Sequence, residues 1–445
     1  MPRALLITFC YPPIEVIGSI RPAALAKYLP QNGWDVQVLT VRRDGVFRSA
    51  ESITETGYSD VLQRWKSRLH LDRKRTLHEQ LGLSLSSKPR TKRLHTKAFE
   101  LARYVLTYPD PTKGWVSHAV DSLKQIKQHG PGIDAIITTS PPISAHLIGY
   151  QAKRILSSPW IADLRDLWTQ NLAGDSRALQ VFETRLEKRT LGFADALVSV
   201  SVPWADKLRE RYSDKTVYPI TNGFDPDDFP QKPALTRQFT ITYAGRLYEG
   251  RRDPSPLFEV VRDLLKEGAV SADDLRLRFY GPSEPWLSHV IARYGVERVV
   301  ELNGVIPHRE AIQCEAESQL LLLLGWSDPR EIGQHSGKLF EYFGASRPIL
   351  AVGGTRSVLT EALEETQAGT HVFSKEQLRG FVVRSYEDYK RFGEVRYQGN
   401  KQAMAQYSHP EMARKFAKVL NQIANFHSHN QKKTSPDLAM VSMSE

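Results

Sequence analysis

Short apolar runs rich in β-branched residues recur along the first half of the chain, at 4–8, 35–39, 134–138, 160–163 and 196–200. Between them, as in 21–29 and 144–155, apolar positions fall three or four residues apart, the spacing of a helix with one buried face. Strand alternating with helix predicts a parallel sheet covered on both faces. The rhythm restarts at 239–243 and continues through 276–280, 320–324 and 348–352, with helical spacing at 256–265, 285–294 and 337–345. Between the two series lies Asn222-Gly223-Phe224-Asp225-Pro226-Asp227-Asp228-Phe229-Pro230, dense in turn formers. The pattern predicts an α/β chain of two doubly wound domains, 1–221 and 222–405. Near the end Met412, Phe416, Val419, Leu420, Ile423 and Phe426 define an amphipathic helix at 406–426, followed by a polar, disordered tail at 427–445.

A length of 445 residues suits two domains, and 41% hydrophobic with 25% charged residues supplies ordinary packed interiors. No run approaches the length of a membrane-spanning helix, and the apolar start is too short for a signal peptide, so the chain is expected in the cytoplasm. Two cysteines, Cys10 and Cys314, provide neither a disulfide framework nor a thiolate zinc site. The net charge of +10 is concentrated: 64–103 holds twelve Lys or Arg against three acids, with Trp65, Leu69, Leu71 and Phe99 interleaved. This segment, within a basic insertion at about 50–110, fits an anionic membrane face and equally fits a solvated helical surface. A nucleic-acid backbone is the weaker reading of the same charge.

Ligands of open α/β sheets bind beyond the carboxyl ends of the strands, which directs attention to the loops there. After the first strand comes Tyr11-Pro12-Pro13, then Gly18 and Arg21, where Gly18 lets backbone amides approach a phosphate or simply serves a proline-ordered turn. The pattern G-x-G-x-x-G is absent, which argues against a nicotinamide or flavin enzyme of the usual kind. In the second series Tyr243-Ala244-Gly245-Arg246-Leu247 sets an arginine just past a strand, with Arg251 and Arg252 close behind, positions from which guanidinium groups clamp a diphosphate. Further on, Gln334-His335-Ser336-Gly337-Lys338-Leu339-Phe340-Glu341-Tyr342 opens a helix whose first amides and positive dipole end suit a pyrophosphate. Glu341 shares a face with Lys338, either as an exposed ion pair or as a carboxylate for the vicinal hydroxyls of a ribose.

In order along the chain, five pieces together resemble glycosyltransferase family 4 on the GT-B fold. They are the loop ending in Arg21; Pro159-Trp160-Ile161-Ala162-Asp163-Leu164-Arg165-Asp166-Leu167-Trp168; Asn222-Gly223-Phe224-Asp225; Ala244-Gly245-Arg246-Leu247; and Gly337-Lys338-Leu339-Phe340-Glu341-Tyr342 followed by Arg347-Pro348-Ile349-Leu350. The resemblance implies two facing Rossmann-like domains, an acceptor-side one and a donor-side one, with the C-terminal helix crossing back to the first. By the same resemblance Glu341 holds the donor ribose, Arg246 the diphosphate, and Ser336, Gly337 and Lys338 the phosphates or the leaving sugar. Two positions depart from the family pattern: Arg251 or Arg252 stands in for its usual lysine, and the usual second glutamate is Gly333, with Glu331 nearby.

The activity implied by this likeness is a retaining, metal-independent transfer of a hexosyl or N-acetylhexosaminyl group from a UDP-sugar or GDP-sugar, with no permanently bound cofactor. The acceptor implied is a glycan or lipid-linked hydroxyl of polysaccharide or envelope assembly, reached from the cytoplasm or peripherally at the cytoplasmic face of the membrane. Cations and a helix N-terminus stabilise the departing diphosphate. Asp163, Arg165, Asp166 and His335 are candidates for orienting the acceptor or the transferred sugar, although Asp166 equally suits a helix cap. The competing readings are a sugar-nucleotide epimerase of the same fold and a non-catalytic scaffold binding membrane or nucleic acid.

Overall fold

The computed structural model describes residues 1–14, 16–42, 52–61, 104–170, 177–230, 233–328 and 332–434, of which 177–179 and 428–434 are described by backbone alone. The basic segment 64–103, Glu331 and 435–445 lie outside the described residues. Two units emerge: Met1–Ser199 with Ala205–Pro219 and Arg414–Glu445, and Val200–Trp204 with Ile220–Ala413.

The first unit is built on a parallel sheet in the order β3-β2-β1-β4-β5-β6-β7. Its strands are β1 (Arg3–Ile7), β2 (Asp35–Val41), β3 (Ile53–Thr56), β4 (Ala135–Ser140), β5 (Trp160–Leu164), β6 (Ala196–Ser199) and β7 (Thr216–Pro219). The connections carry α1 (Ile17–Tyr28), α2 (Val116–His129), α3 (Ser144–Leu156), α4 (Arg177–Leu191) and α5 (Val202–Arg211). Residues of β4 and β5 are buried without alternation, because helices cover both faces of the sheet. Strand order reverses between β1 and β4, which pair directly, so the loops following these two strands open the crevice.

In the second unit the order is β10-β9-β8-β11-β12-β13, again parallel. The strands are β8 (Phe239–Ala244), β9 (Leu275–Tyr280), β10 (Val300–Leu302), β11 (Leu320–Leu324), β12 (Ile349–Val352) and β13 (Gly369–Val372). They alternate with α6 (Ser255–Lys266), α7 (Pro285–Tyr294), α8 (His308–Ala316), α9 (Gly337–Ala345), α10 (Val358–Thr366), α11 (Lys375–Phe392) and α12 (Lys401–Ala405). Here the switch lies between β8 and β11, beside the loops that begin at Gly245 and Gly325.

The closing helix, α13 (His409–Thr434), returns the chain to the first unit from Arg414 onward. Phe416 lies under the Arg21 guanidinium at 5.1 Å, Asn421 accepts from Trp34 Nε1 at 2.9 Å, and Tyr218 donates to Gln422 at 2.7 Å. The helix runs on past Phe426 to Thr434, with no Gly or Pro to interrupt the chain before Pro436.

Candidate functional site

Around the switch point of the second unit the loops are stitched by backbone bonds. Gly245 N donates to the Tyr280 carbonyl and Gly281 N to that of Gly304, each at 2.7 Å. Gly245 has φ +138°, a left-handed conformation, and a side chain there would fall on the amine end of Lys338. The glycine therefore makes room for the lysine, whose Nζ sits 4.9 Å over the Tyr243 ring. Burial first, then Arg252, pull the Lys338 amine down to about 8 against the opposition of Glu341 and Glu315. Lys338 is thus a cation held short of counter-charge at the mouth of α9.

Ser336 is the N-cap of α9, but its hydroxyl makes no capping bond. With Gly337 and Lys338 it forms the first turn, and Gly337 is the first helical residue. Beside it a recess of about 20 Å³ is lined by Arg252, Gly325, Trp326, Ser336, Gly354 and His371. A larger cavity of about 710 Å³ lies at the opposite pole, by Pro348 and Gly369 where β12 and β13 begin, away from the carboxyl ends that bind ligands in such sheets.

Arg246 is more than half exposed, 3.7 Å from Glu284 and 5.8 Å from the Tyr248 ring, so its guanidinium stands available beyond β8. Arg251 stacks on Trp326 at 4.6 Å, while Arg252 donates to the Leu324 carbonyl at 3.2 Å. Glu341 accepts from, or pairs with, His308 Nε2 at 3.0 Å. Sequence reasoning missed that histidine, which reaches Glu341 from the start of α8. His335 packs against Phe340 and Tyr407, and burial lowers it to about 4, so the ring is neutral. Its Nδ1 has no hydrogen-bond partner.

At Gly333 a side chain would collide with the Trp204 indole, which accounts for the glycine where the family pattern has glutamate. Asp225 accepts from Asp227 N at 3.1 Å and so caps the turn of the linker.

In the first unit Asp163 requires correction. It is fully buried, and Arg21, itself buried, grips both its oxygens at 2.9 and 2.8 Å while Thr139 donates at 2.8 Å. A carboxylate so enclosed neutralises the arginine and reaches no ligand. Arg165 is likewise spent on loops: Nε donates to the Ser140 carbonyl at 3.0 Å, one terminal nitrogen to Gly18 at 2.8 Å and the other to Pro141 at 2.9 Å. The bond joins Gly18, in the first turn of α1, to the loops after β4 and β5. A side chain at Gly18 would make only ordinary contacts, at 3.6 Å, with Arg165 and Cys10, so packing alone does not demand glycine there.

Asp166 is exposed as a residue, yet the atoms packed around its carboxyl strip it of water and raise it above the ordinary range against the pull of Arg165. The stretch behind it is anchored by α4, where Glu183 accepts from Trp168 Nε1 at 2.9 Å and the buried Glu187 accepts from Thr169 and from Arg211. His146, also buried, bonds Thr138 at 2.7 Å and Ser140 at 2.8 Å and is structural. Both cysteines are partly buried free thiols, and among the described residues no cluster of His, Cys, Asp or Glu could hold a metal.

Two parallel, doubly wound units in one chain, with a closing helix that rejoins the first, define the GT-B architecture. HepE of Anabaena, in complex with UDP and glucose, matches with TM-score 0.58 and 14% identity over 94% of this chain and 99% of its own. Sucrose-phosphate synthase of Thermosynechococcus elongatus matches with TM-score 0.56 and 15% identity over 98% and 99%. A candidate UDP-N-acetylglucosamine 2-epimerase of Listeria monocytogenes matches with TM-score 0.50 and 16% identity over 97% of each chain. At these identities the likeness is one of fold. Residues 19–223 match the family model described as a glycosyl transferase 4-like domain. The chain thus has the GT-B fold, and its residues 19–223 are similar to the glycosyl transferase 4-like domain. No curated protein sequence matches it significantly.

Proposed function

We propose that the protein is a glycosyltransferase that moves a sugar from a nucleoside-diphosphate sugar, first a UDP-hexose or UDP-N-acetylhexosamine and otherwise a GDP-sugar, to an acceptor hydroxyl. One observation carries the reading: Gly245 clears space for a half-buried, under-compensated Lys338 at the start of α9. An ammonium so placed, beside first-turn amides and the Ser336 hydroxyl, suits a diphosphate. HepE, which binds UDP and UDP-glucose on the same fold, supports UDP as the first nucleotide to test.

In this reading Glu341 exchanges His308 for the ribose hydroxyls. Lys338, Arg246, Arg251 and the amides of Gly337 and Lys338 receive the charge that grows on the leaving diphosphate, without a metal. Neutral His335 offers its unpaired ring nitrogen to a hydroxyl of the transferred sugar. Asp166 orients the acceptor, while Asp163, Arg165 and Gly18 hold the loops around it. Transfer retains anomeric configuration, with a phosphate oxygen taking the acceptor proton. The acceptor is a glycan or lipid-linked hydroxyl, and 64–103 docks the protein on the anionic cytoplasmic face of the membrane. Among the described residues no helix is long and apolar enough to cross a membrane.

The test is incubation with UDP- and GDP-sugars and a membrane lipid extract, with products read by mass spectrometry. A glycosylated acceptor formed with release of nucleoside diphosphate supports the proposal. A free isomerised sugar made without acceptor would assign the protein to the epimerases instead, and turnover of no donor would refute both.

A further inference from the structure

Behind the proposed donor helix lies a carboxyl that the chemistry above does not use. Glu315, on α8, is fully buried, and neither of its oxygens has a hydrogen-bond partner. Helix α8 packs on α9, which brings Glu315 within electrostatic reach of Lys338, Glu341 and Tyr342. The groups bearing on this cluster are Arg252 from the loop before α6, the Tyr243 ring under the lysine, His308 on Glu341, and Cys314 on the same helix. Burial first, then Glu341, pushes the Glu315 carboxyl well above the ordinary range, and Lys338 offsets this only in part.

A carboxylate in that place would go without a single donor beside a second carboxylate, and it would cancel the charge of Lys338. An un-ionised acid does neither. We propose that Glu315 is a positioning residue of the donor pocket, an un-ionised carboxyl behind α9 that leaves the Lys338 ammonium to an incoming diphosphate instead of claiming it in an internal ion pair. The proposal rests on the reading of 336–342 as the donor site. An anion at Lys338 then favours the protonated forms of both groups, so diphosphate binding and proton binding are linked.

Calorimetric titration with UDP from about pH 7 to about pH 9, above the last phosphate ionisation near 6, measures that linkage. While Glu315 stays un-ionised, the wild-type dissociation constant should rise with pH by no more than the single proton of Lys338 allows. Glu315→Gln, the neutral isostere, should follow the wild type within about twofold, pH 7 included. UDP binding at pH 7 tightened about tenfold or more by Glu315→Gln, the mark of an ionised Glu315 that claims Lys338, would overturn the inference while leaving the donor site standing; failure of UDP and GDP to bind at any pH would overturn both. Should the variant not fold, isotope-edited infrared spectra of the wild type read the same property. An un-ionised carboxyl band should persist above pH 7, with its loss driven to higher pH by UDP, and absence of that band would refute the inference.

Discussion

Replacing Lys338 by methionine should make the protein more stable and a poorer ligand for nucleoside diphosphates. The amine is held at about 8 against an ordinary 10.5, chiefly by burial. At 1.36 kcal/mol per pH unit the ionised lysine costs the fold about 3 kcal/mol. Residual solvent contact and the lost Tyr243 contact reduce the expected gain to about 1–2 kcal/mol, a rise in Tm of about 2–4 °C for each kcal/mol in a unit of this size. The sign comes from linkage. Between about 8 and 10.5 the unfolded lysine binds the proton more tightly than the folded one, so wild-type stability rises with pH across that window. The advantage of the methionine variant is therefore full below about pH 8 and fades above it. Loss of a charge-assisted bond of about 1.5–3 kcal/mol should weaken UDP by about ten- to 150-fold. Calorimetry of unfolding at several pH values and UDP titration at neutral pH check both halves. A destabilised variant would refute the account of the half-buried ammonium, and unchanged UDP affinity would refute its role.

Glu341→Ala should lower UDP affinity by about ten- to a hundredfold and shift Tm little, since the His308 pair is partly exposed and worth about 0–1 kcal/mol; equal affinity by calorimetry would remove the ribose assignment. Gly333→Glu should destabilise by about 1–3 kcal/mol because its side chain meets Trp204, and the same change should cost less in a Trp204→Ala background; a single variant as stable as wild type would contradict the clash. Acid should unfold the protein partly through His146. Fully buried and lowered to about 4, it binds its proton more weakly than the unfolded imidazole, so about 3 kcal/mol is lost as pH falls from about 6.5 to 4; His146→Gln should flatten that limb in denaturant titrations at successive pH values.

The strands that the hydrophobic pattern located are the inner ones, and those it missed are the four sheet edges. β3, β7, β10 and β13 have three or four residues each and are partly exposed, so Ile53-Thr54-Glu55-Thr56 or Gly369-Thr370-His371-Val372 shows no continuous apolar run. The first turn of α9 was legible because its Ser-Gly-Lys sequence and its place after a strand both mark a helix entry. Partners distant in sequence were not. Asp163 reads as a polar residue at a strand end, and nothing local reveals Arg21, 142 positions away, as its counter-ion. Glu315 likewise looks like one more surface acid of a polar helix until the packing of α8 on α9 encloses it. Gly333 shows the converse: the missing glutamate was evident in sequence, while its cause, the Trp204 indole, appears only in three dimensions.

The most direct test of the account is amide hydrogen exchange with and without saturating UDP. Slowed exchange at 336–342 and at 245–252 is predicted, with 367–370 at the opposite pole unchanged. Protection confined to that opposite pole, or none anywhere, would contradict a nucleoside diphosphate seated at the start of α9.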